Sequence, residues 1–257
     1  MKKITAIIIA FAFICATLCS CSVDKEKEEL YIFAASSLTD CLSEIEDIYE
    51  AENPDIDLIF NFNSSGTLRE QIDEGAQCDV FISASSTPLE KLDCASRYKI
   101  DLLENKATLV VSESNPAKIQ SFEDLFNKLY NAEILLGIGN TDVPIGEYTL
   151  QIFDYYNIDV SKLNEKGVIT YGSSAKEITS QVKEGLVDCA IIYETDAKIA
   201  DLEIVEIADK GQCSKIIYPS SVLDISNNFD LSVAFLDFLQ NSYSKMIFKK
   251  YGFTPID

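Results

Sequence analysis

Short continuous apolar runs alternate along this chain with longer stretches in which apolar residues recur every three or four positions. The runs "LYIFAAS" (30–36), "DIDLIFNFN" (55–63), "CDVFISA" (78–84), "ATLVVSES" (107–114), "AEILLGIG" (132–139), "VDCAIIY" (187–193) and "SKIIYPSSVLDI" (214–225) read as strands. Between them, "LTDCLSEIEDIYEAE" (38–52) spaces Leu38, Cys41, Leu42, Ile45, Ile48 and Tyr49 along one helical face. Further helices are predicted over "TLREQIDEG", "SFEDLFNKLY", "GEYTLQIFDYYNI" and "SAKEITSQVKEG", with one long helical region over 228–253. Alternating strands and helices predict an α/β fold with mostly parallel sheets. No proline-rich linker divides the chain, so two lobes would have to be joined by crossing strands.

Four strand-to-helix junctions share one chemistry. They are Ala35-Ser36-Ser37-Leu38, Asn63-Ser64-Ser65-Gly66, Asp142-Val143-Pro144-Ile145-Gly146 and Tyr171-Gly172-Ser173-Ser174-Ala175. Any one is explained by helix capping: Ser37 with Asp40, and Ser174 with Glu177, fit a capping box, and Pro144 fits a first helical position. Together they say more. In an open α/β sheet ligands sit beyond the carboxyl ends of strands, where helix N-termini present unpaired N–H groups and partial positive charge. Serine hydroxyls add donors there, and no Lys or Arg stands at the turns themselves, Arg69 and Lys176 lying within the helices. Such a neutral, donor-only site suits a small, fully deprotonated oxyanion, because a protonated one needs an acceptor in the pocket.

Composition narrows the partners. The 257 residues carry 42 Asp and Glu against 21 Lys and Arg, a net charge of −21, which excludes nucleic acid as a partner class. There is no histidine, which excludes histidine-dependent hydrolytic triads and zinc sites. Lys2 and Lys3 followed by the apolar "ITAIIIAFAFICATL" read as a secretory signal over 1–20. "LCSC" resembles a bacterial lipobox, with Cys21 the lipid-bearing residue, and 21–29 reads as a lipidated cysteine and flexible tether. Cys41, Cys78, Cys94, Cys189 and Cys213 remain, an odd number without metal-like spacing. They read as buried small apolar residues; a Cys94–Cys213 disulfide has no support in the spacing. The acidic cluster at 201–206 reads as a solvated face.

The blocks "YIFAASSLTDCLSEI", "FNFNSSGTLREQIDEGAQCDVFISAS", "VPIGEYTLQIF", "CAIIYETDA" and "MIFKKYGF" resemble, in order and spacing, the molybdate-binding proteins of ABC importers, over about 30–253. The resemblance implies a type II binding-protein fold: two Rossmann-like lobes joined by a hinge, with 30–108 plus 216–257 as lobe I and 109–215 as lobe II. It implies an oxyanion held by Ser37, Ser65 and Tyr193 through hydroxyls and by Ile145 and Ala175 through backbone N–H groups. Molybdenum would be held as molybdate by these residues, with no direct metal-ion ligand and no cofactor. Three positions depart from the pattern: Ile145 replaces the usual Ala of "VPAG", Ala175 stands where Val is common, and Ser85 replaces the Asp of "ISAD".

The implied protein is a monomeric, non-enzymatic binder of molybdate, and of tungstate as well. It is exported, lipid-anchored to the outer face of the cell membrane, and delivers its anion to an ABC permease. Three rivals make distinct demands. A sulfate or phosphate binder would use the same donors. A serine-nucleophile hydrolase at Ser37 or Ser65 needs a Lys or carboxylate base, and no SxxK motif occurs at either serine. A ferric-ion binder needs paired tyrosines, and "DYYN" (154–157) is the only adjacent pair.

Overall fold

The computed structural model describes residues 27–92 and 96–256. The expected signal, Cys21 and most of the tether lie outside these residues, as does Cys94. The elements run β1 (Glu28–Ala35), α1 (Thr39–Glu52), β2 (Ile56–Asn63), α2 (Ser65–Asp73), β3 (Val80–Ile82), α3 (Ser86–Glu90), β4 (Ser96–Asn105) and β5 (Ala107–Val111). Then follow α4 (Phe122–Tyr130), β6 (Leu136–Gly139), α5 (Pro144–Tyr155), α6 (Val160–Glu165), β7 (Ile169–Gly172), α7 (Ala175–Lys183), β8 (Cys189–Tyr193), α8 (Glu194–Ile199) and β9 (Glu203–Ile207). The chain closes with β10 (Ile216–Leu223), α9 (Phe229–Leu239), α10 (Ser242–Lys250) and β11 (Thr254–Pro255).

Two sheets form, in the strand orders β11-β4-β10-β3-β1-β2 and β7-β6-β8-β5-β9. Within the first, β1 runs parallel to β2 and β3; within the second, β6 runs parallel to β7 and β8. The remaining pairings are antiparallel: β10 with β3 and β4, β11 with β4, and β5 with β8 and β9. The sheets are therefore mixed rather than mostly parallel. The reason lies in the crossings. Asn105, Lys106 and Ala107 carry the chain from β4 of the first sheet into β5 of the second, and β10 brings it back. A strand entering from the neighbouring sheet runs against the parallel set it joins.

Strand alternation explains the layers. Leu30, Ile32 and Ala34 of β1 face the large core with Cys41, Leu42 and Ile45 of α1. Phe33 points to the other face, into a smaller cluster with Leu68, Ile72, Phe81 and Leu89. The second sheet buries Leu109, Ile138 and Ile191 against helices carrying Phe122, Phe126, Ile152 and Ile178. Cys41, Cys78 and Cys189 are buried and Cys213 is half-buried.

Three features depart from the sequence reading. "SRYKIDLLEN", unassigned in the sequence, forms β4; its charged residues alternate with apolar ones on a half-exposed strand. The C-terminal helical region is two helices, because the Asn241 side chain accepts the Ser244 N–H at 2.7 Å and starts α10 afresh. The 201–206 cluster is not all solvated: Glu206 on β9 accepts the Phe122 N–H at 2.7 Å and caps α4 alongside Ser121.

Candidate functional site

The junctions after β1 and β2 and those opening α5 and α7 meet between the two sheets. One cavity is lined from the first sheet by Ala35, Ser36, Ser37, Asn63, Ser64, Ser65 and Ala84, and from the second by Val143, Pro144, Ala175 and Tyr193. Its volume is about 10 Å³ for the centre of a water molecule, room for roughly one water. The two sides touch at its rim. A Cβ on Gly66 would lie 2.4 Å from the Asp142 carbonyl oxygen, and the Thr87 hydroxyl donates to Glu147 at 3.3 Å.

Of the five residues expected to meet a ligand, Ser37, Ser65, Ala175 and Tyr193 line this cavity. Ile145 does not; its side chain is fully buried in the main core, directly behind Pro144. What Ile145 and Ala175 offer is position. They are the second residue of α5 and the first of α7, so no preceding turn supplies an acceptor for their N–H groups. The departure at Ile145 is thus absorbed by the core.

Each serine pair divides its labour. Ser64 is the N-cap of α2, its hydroxyl accepting the Thr67 N–H at 3.2 Å. Ser65, one residue on, accepts the Ala84 N–H at 3.0 Å, so its own proton is left for the cavity. After β1, a single 3₁₀ turn spans Ser36–Leu38 before α1. Ser37 caps nothing here, contrary to the capping box expected with Asp40: no side-chain cap forms, and its hydroxyl lies 2.9 Å from the Tyr218 hydroxyl. Ser174 does cap α7 through Glu177 N–H, but Glu177 reaches back to Ser173 N–H and hydroxyl, one residue earlier than a capping box requires. Those two hydrogen bonds hold the Glu177 carboxyl below its ordinary range.

Tyr193 is 1% exposed and its hydroxyl has no partner among the described residues. A buried hydroxyl without a hydrogen bond costs about 1–3 kcal/mol, so such a group calls for an explanation. Burial holds its proton well past the ordinary tyrosine range, which keeps it a donor. Among the described residues, none that lines the cavity is charged. Lys176 lines the adjoining recess with Ser36, Thr39, Asn63 and Glu177, and Arg69 is bound to Asp73 at 2.5 Å. Asp196 lies buried in α8; burial first, then the negative charge of Asp40, push its carboxyl up to about 7 against the pull of Lys176.

Sequence reasoning passed over Tyr218 and Asn105, which stand behind Ser37. Tyr218 is fully buried on β10, and Asn105 ends β4. Nothing in their local sequence sets them apart, because their contact with Ser37 spans 181 and 113 positions of chain in two steps. Neither Ser37 nor Ser65 hydrogen-bonds a lysine or carboxylate among the described residues, and the tyrosines of "DYYN" lie outside the cavity lining: Tyr155 is exposed, and Tyr156 packs edge-on against it and accepts from Gln212 at 2.7 Å. Among the described residues no cluster of three or more His, Cys, Asp or Glu could hold a metal ion, and no helix is long and apolar enough to cross a membrane.

Two mixed α/β sheets joined by crossing strands, with neutral donors converging between them, define a two-lobed binding protein. The comparisons agree. A family model described as bacterial extracellular solute-binding protein matches residues 30–254, and the chain belongs to that family. A lipoprotein of Bacillus subtilis, provisionally named for substrate binding in an ABC transporter, is 33% identical over 98% of both chains. The molybdate-binding protein of Haemophilus influenzae is 28% identical over 87% of this chain and 89% of its own. Among solved structures, the substrate-binding domain of a provisionally assigned molybdenum ABC transporter from Clostridium difficile is 28% identical, with a TM-score of 0.66 over 90% of this chain and all of that one.

Proposed function

We propose that this protein is the extracytoplasmic receptor of an ABC importer and captures molybdate, and tungstate with it, between its two lobes. The observation that carries the reading is the unpartnered Tyr193 hydroxyl, buried at the wall of a cavity that also receives Ser37, Ser65 and two helix N-termini. Five donors without a cation suit a tetrahedral dianion with four accepting oxygens and no proton of its own. Ser37 and Ser65 serve from the lobe of the first sheet, and Ile145, Ala175 and Tyr193 from the lobe of the second, the boundary falling at Lys106 rather than after 108. The names of the Haemophilus influenzae and Clostridium difficile relatives support molybdenum as the cargo element.

The mechanism follows from the closed rim. With Gly66 against Asp142 and room inside for roughly one water, an anion of four oxygens enters only when the lobes part. Once inside, it bridges donors of both lobes and stabilises the closed state, which the permease reads. The chain works as a monomer held to the membrane by lipid on Cys21, a reading supported by the lipoprotein name of the Bacillus subtilis relative. Replacing Cys21 by alanine should then move the protein from the membrane fraction into the medium; retention would remove the anchor from the account.

Titration calorimetry tests the cargo. Molybdate should bind at micromolar concentration or below, with sulfate and phosphate much weaker. Tight sulfate binding with weak molybdate would reassign the cargo. Turnover of an ester that disappears in Ser37→Ala would instead revive the hydrolase reading.

A further inference from the structure

Of the three hydroxyls expected to meet the ligand, Ser37 is the one whose immediate contact leaves its donor sense open, since either it or Tyr218 can donate across their 2.9 Å contact. The surroundings decide it. Asn105 Oδ1 accepts the N–H of Lys106 at 2.8 Å, and a backbone N–H can only donate, so the amide cannot be turned over. Asn105 Nδ2 therefore faces Tyr218 at 3.2 Å and Thr195 at 2.9 Å, and it too can only donate. The Tyr218 oxygen accepts from Asn105. Its own proton, in a fully buried side chain, then has one acceptor among the described residues: Ser37 Oγ. With a lone pair of Ser37 so occupied, the Ser37 proton has no acceptor among the described residues and its remaining neighbour is the cavity.

We propose that Asn105 and Tyr218 are positioning residues that set the specificity of the site: the directed chain Asn105 → Tyr218 → Ser37 turns the Ser37 proton toward the cavity and so favours an anion that accepts there over one that presents its own proton. The chain starts where β4 leaves the first sheet, passes through the returning strand β10, and is tied by Thr195 to α8 beside the second sheet. The donor sense is thus set where the two lobes join. The inference rests on the oxyanion reading of the cavity and adds to it the residues that enforce deprotonated cargo.

The test is titration of the full mature chain with molybdate at mildly alkaline pH, with hydrogenphosphate as competitor. Both anions are then dianions, so a change in local charge affects them alike, and their affinity ratio reads hydrogen-bond direction. Tyr218→Phe keeps the ring and removes the relay. It should weaken molybdate about tenfold and narrow the preference over hydrogenphosphate by a similar factor, as expected for one misdirected hydrogen bond. Asn105→Asp offers an acceptor in place of a donor, draws the Tyr218 proton to itself and turns Ser37 toward accepting; it should narrow the preference further. A wild-type ratio in Tyr218→Phe, with or without a uniform loss for both anions, would reduce the chain to packing and overturn the inference. Should Asn105→Asp fail to fold, Tyr218→Phe decides alone. Wild-type protein that binds neither anion overturns the oxyanion reading itself, whereas wild-type binding with unmoved ratios overturns the relay only.

Discussion

The two walls of the cavity reach the same electrostatic end by different chemistry. On the first sheet, donors are side chains: Ser37 and Ser65 stand where a strand turns into a helix, and the Tyr218 hydroxyl and the Ala84 N–H respectively engage their oxygens. On the second sheet, apart from Tyr193, donors are backbone N–H groups at the starts of α5 and α7, and glycines bring that backbone in. A Cβ on Gly146 would lie 2.1 Å from the Asn140 carbonyl oxygen, and one on Gly139 would lie 2.8 Å from the Gly146 nitrogen. The lesson is that function is encoded in the hydroxyl on one wall and in the absence of a side chain on the other. Substitutions should therefore discriminate between the walls, and their sizes should fall in the following order.

Gly146→Ala should have the largest effect. A contact of 2.1 Å with backbone cannot be relieved by a rotamer, so the β6–α5 turn must move, at a cost of roughly 3 kcal/mol or more. A melting temperature within a degree or two of wild type would show that the turn yields. The buried carboxyl of Asp196 comes next. Its folded-state pKa of about 7 lies above the ordinary 3.8, so the folded protein holds this proton more tightly than the unfolded chain. Stability from this group is full below pH 3.8 and is lost as pH rises toward 7. Asp196→Asn should thus flatten the stability curve across that window and be the more stable protein above it; parallel slopes in denaturant titrations would contradict the assignment.

The adjacent serines sharpen the contrast on the first wall. Ser65→Ala removes a cavity donor and strands the Ala84 N–H, so both affinity and stability should fall, the latter by about 1–3 kcal/mol. Ser64→Ala removes a cap and should cost about 1 kcal/mol of stability with affinity nearly unchanged. Equal affinity losses in the two would erase the division of labour. Smallest should be Tyr193→Phe in the empty protein. Since its hydroxyl has no partner, the melting temperature should hold or rise while anion affinity drops.

Much of this was legible in the sequence because it is local. The strand-turn-helix pattern placed Ser37, Ser65 and Ala175 at junctions, and they do meet in one cavity. The cap assignment was legible where the acceptor lies three residues from the donor, as at Ser174. It failed at Ser37, where a partner 181 positions away competes for the hydroxyl. Sheet composition was misread for a similar reason: strand direction in β5 and β10 is set by which sheet the chain arrives from, which no local pattern records. The roles of Asn105 and Tyr218 exist only in three dimensions, through two consecutive long-range hydrogen bonds.

The central claim is that an uncharged, donor-only pocket captures a deprotonated dianion, and the most direct measurement is calorimetric titration of the wild-type chain with molybdate and hydrogenphosphate side by side at mildly alkaline pH. The account predicts saturable binding of molybdate at micromolar concentration or below and binding of hydrogenphosphate only at far higher concentration. Comparable binding of the two, or preference for the protonated anion, would contradict it.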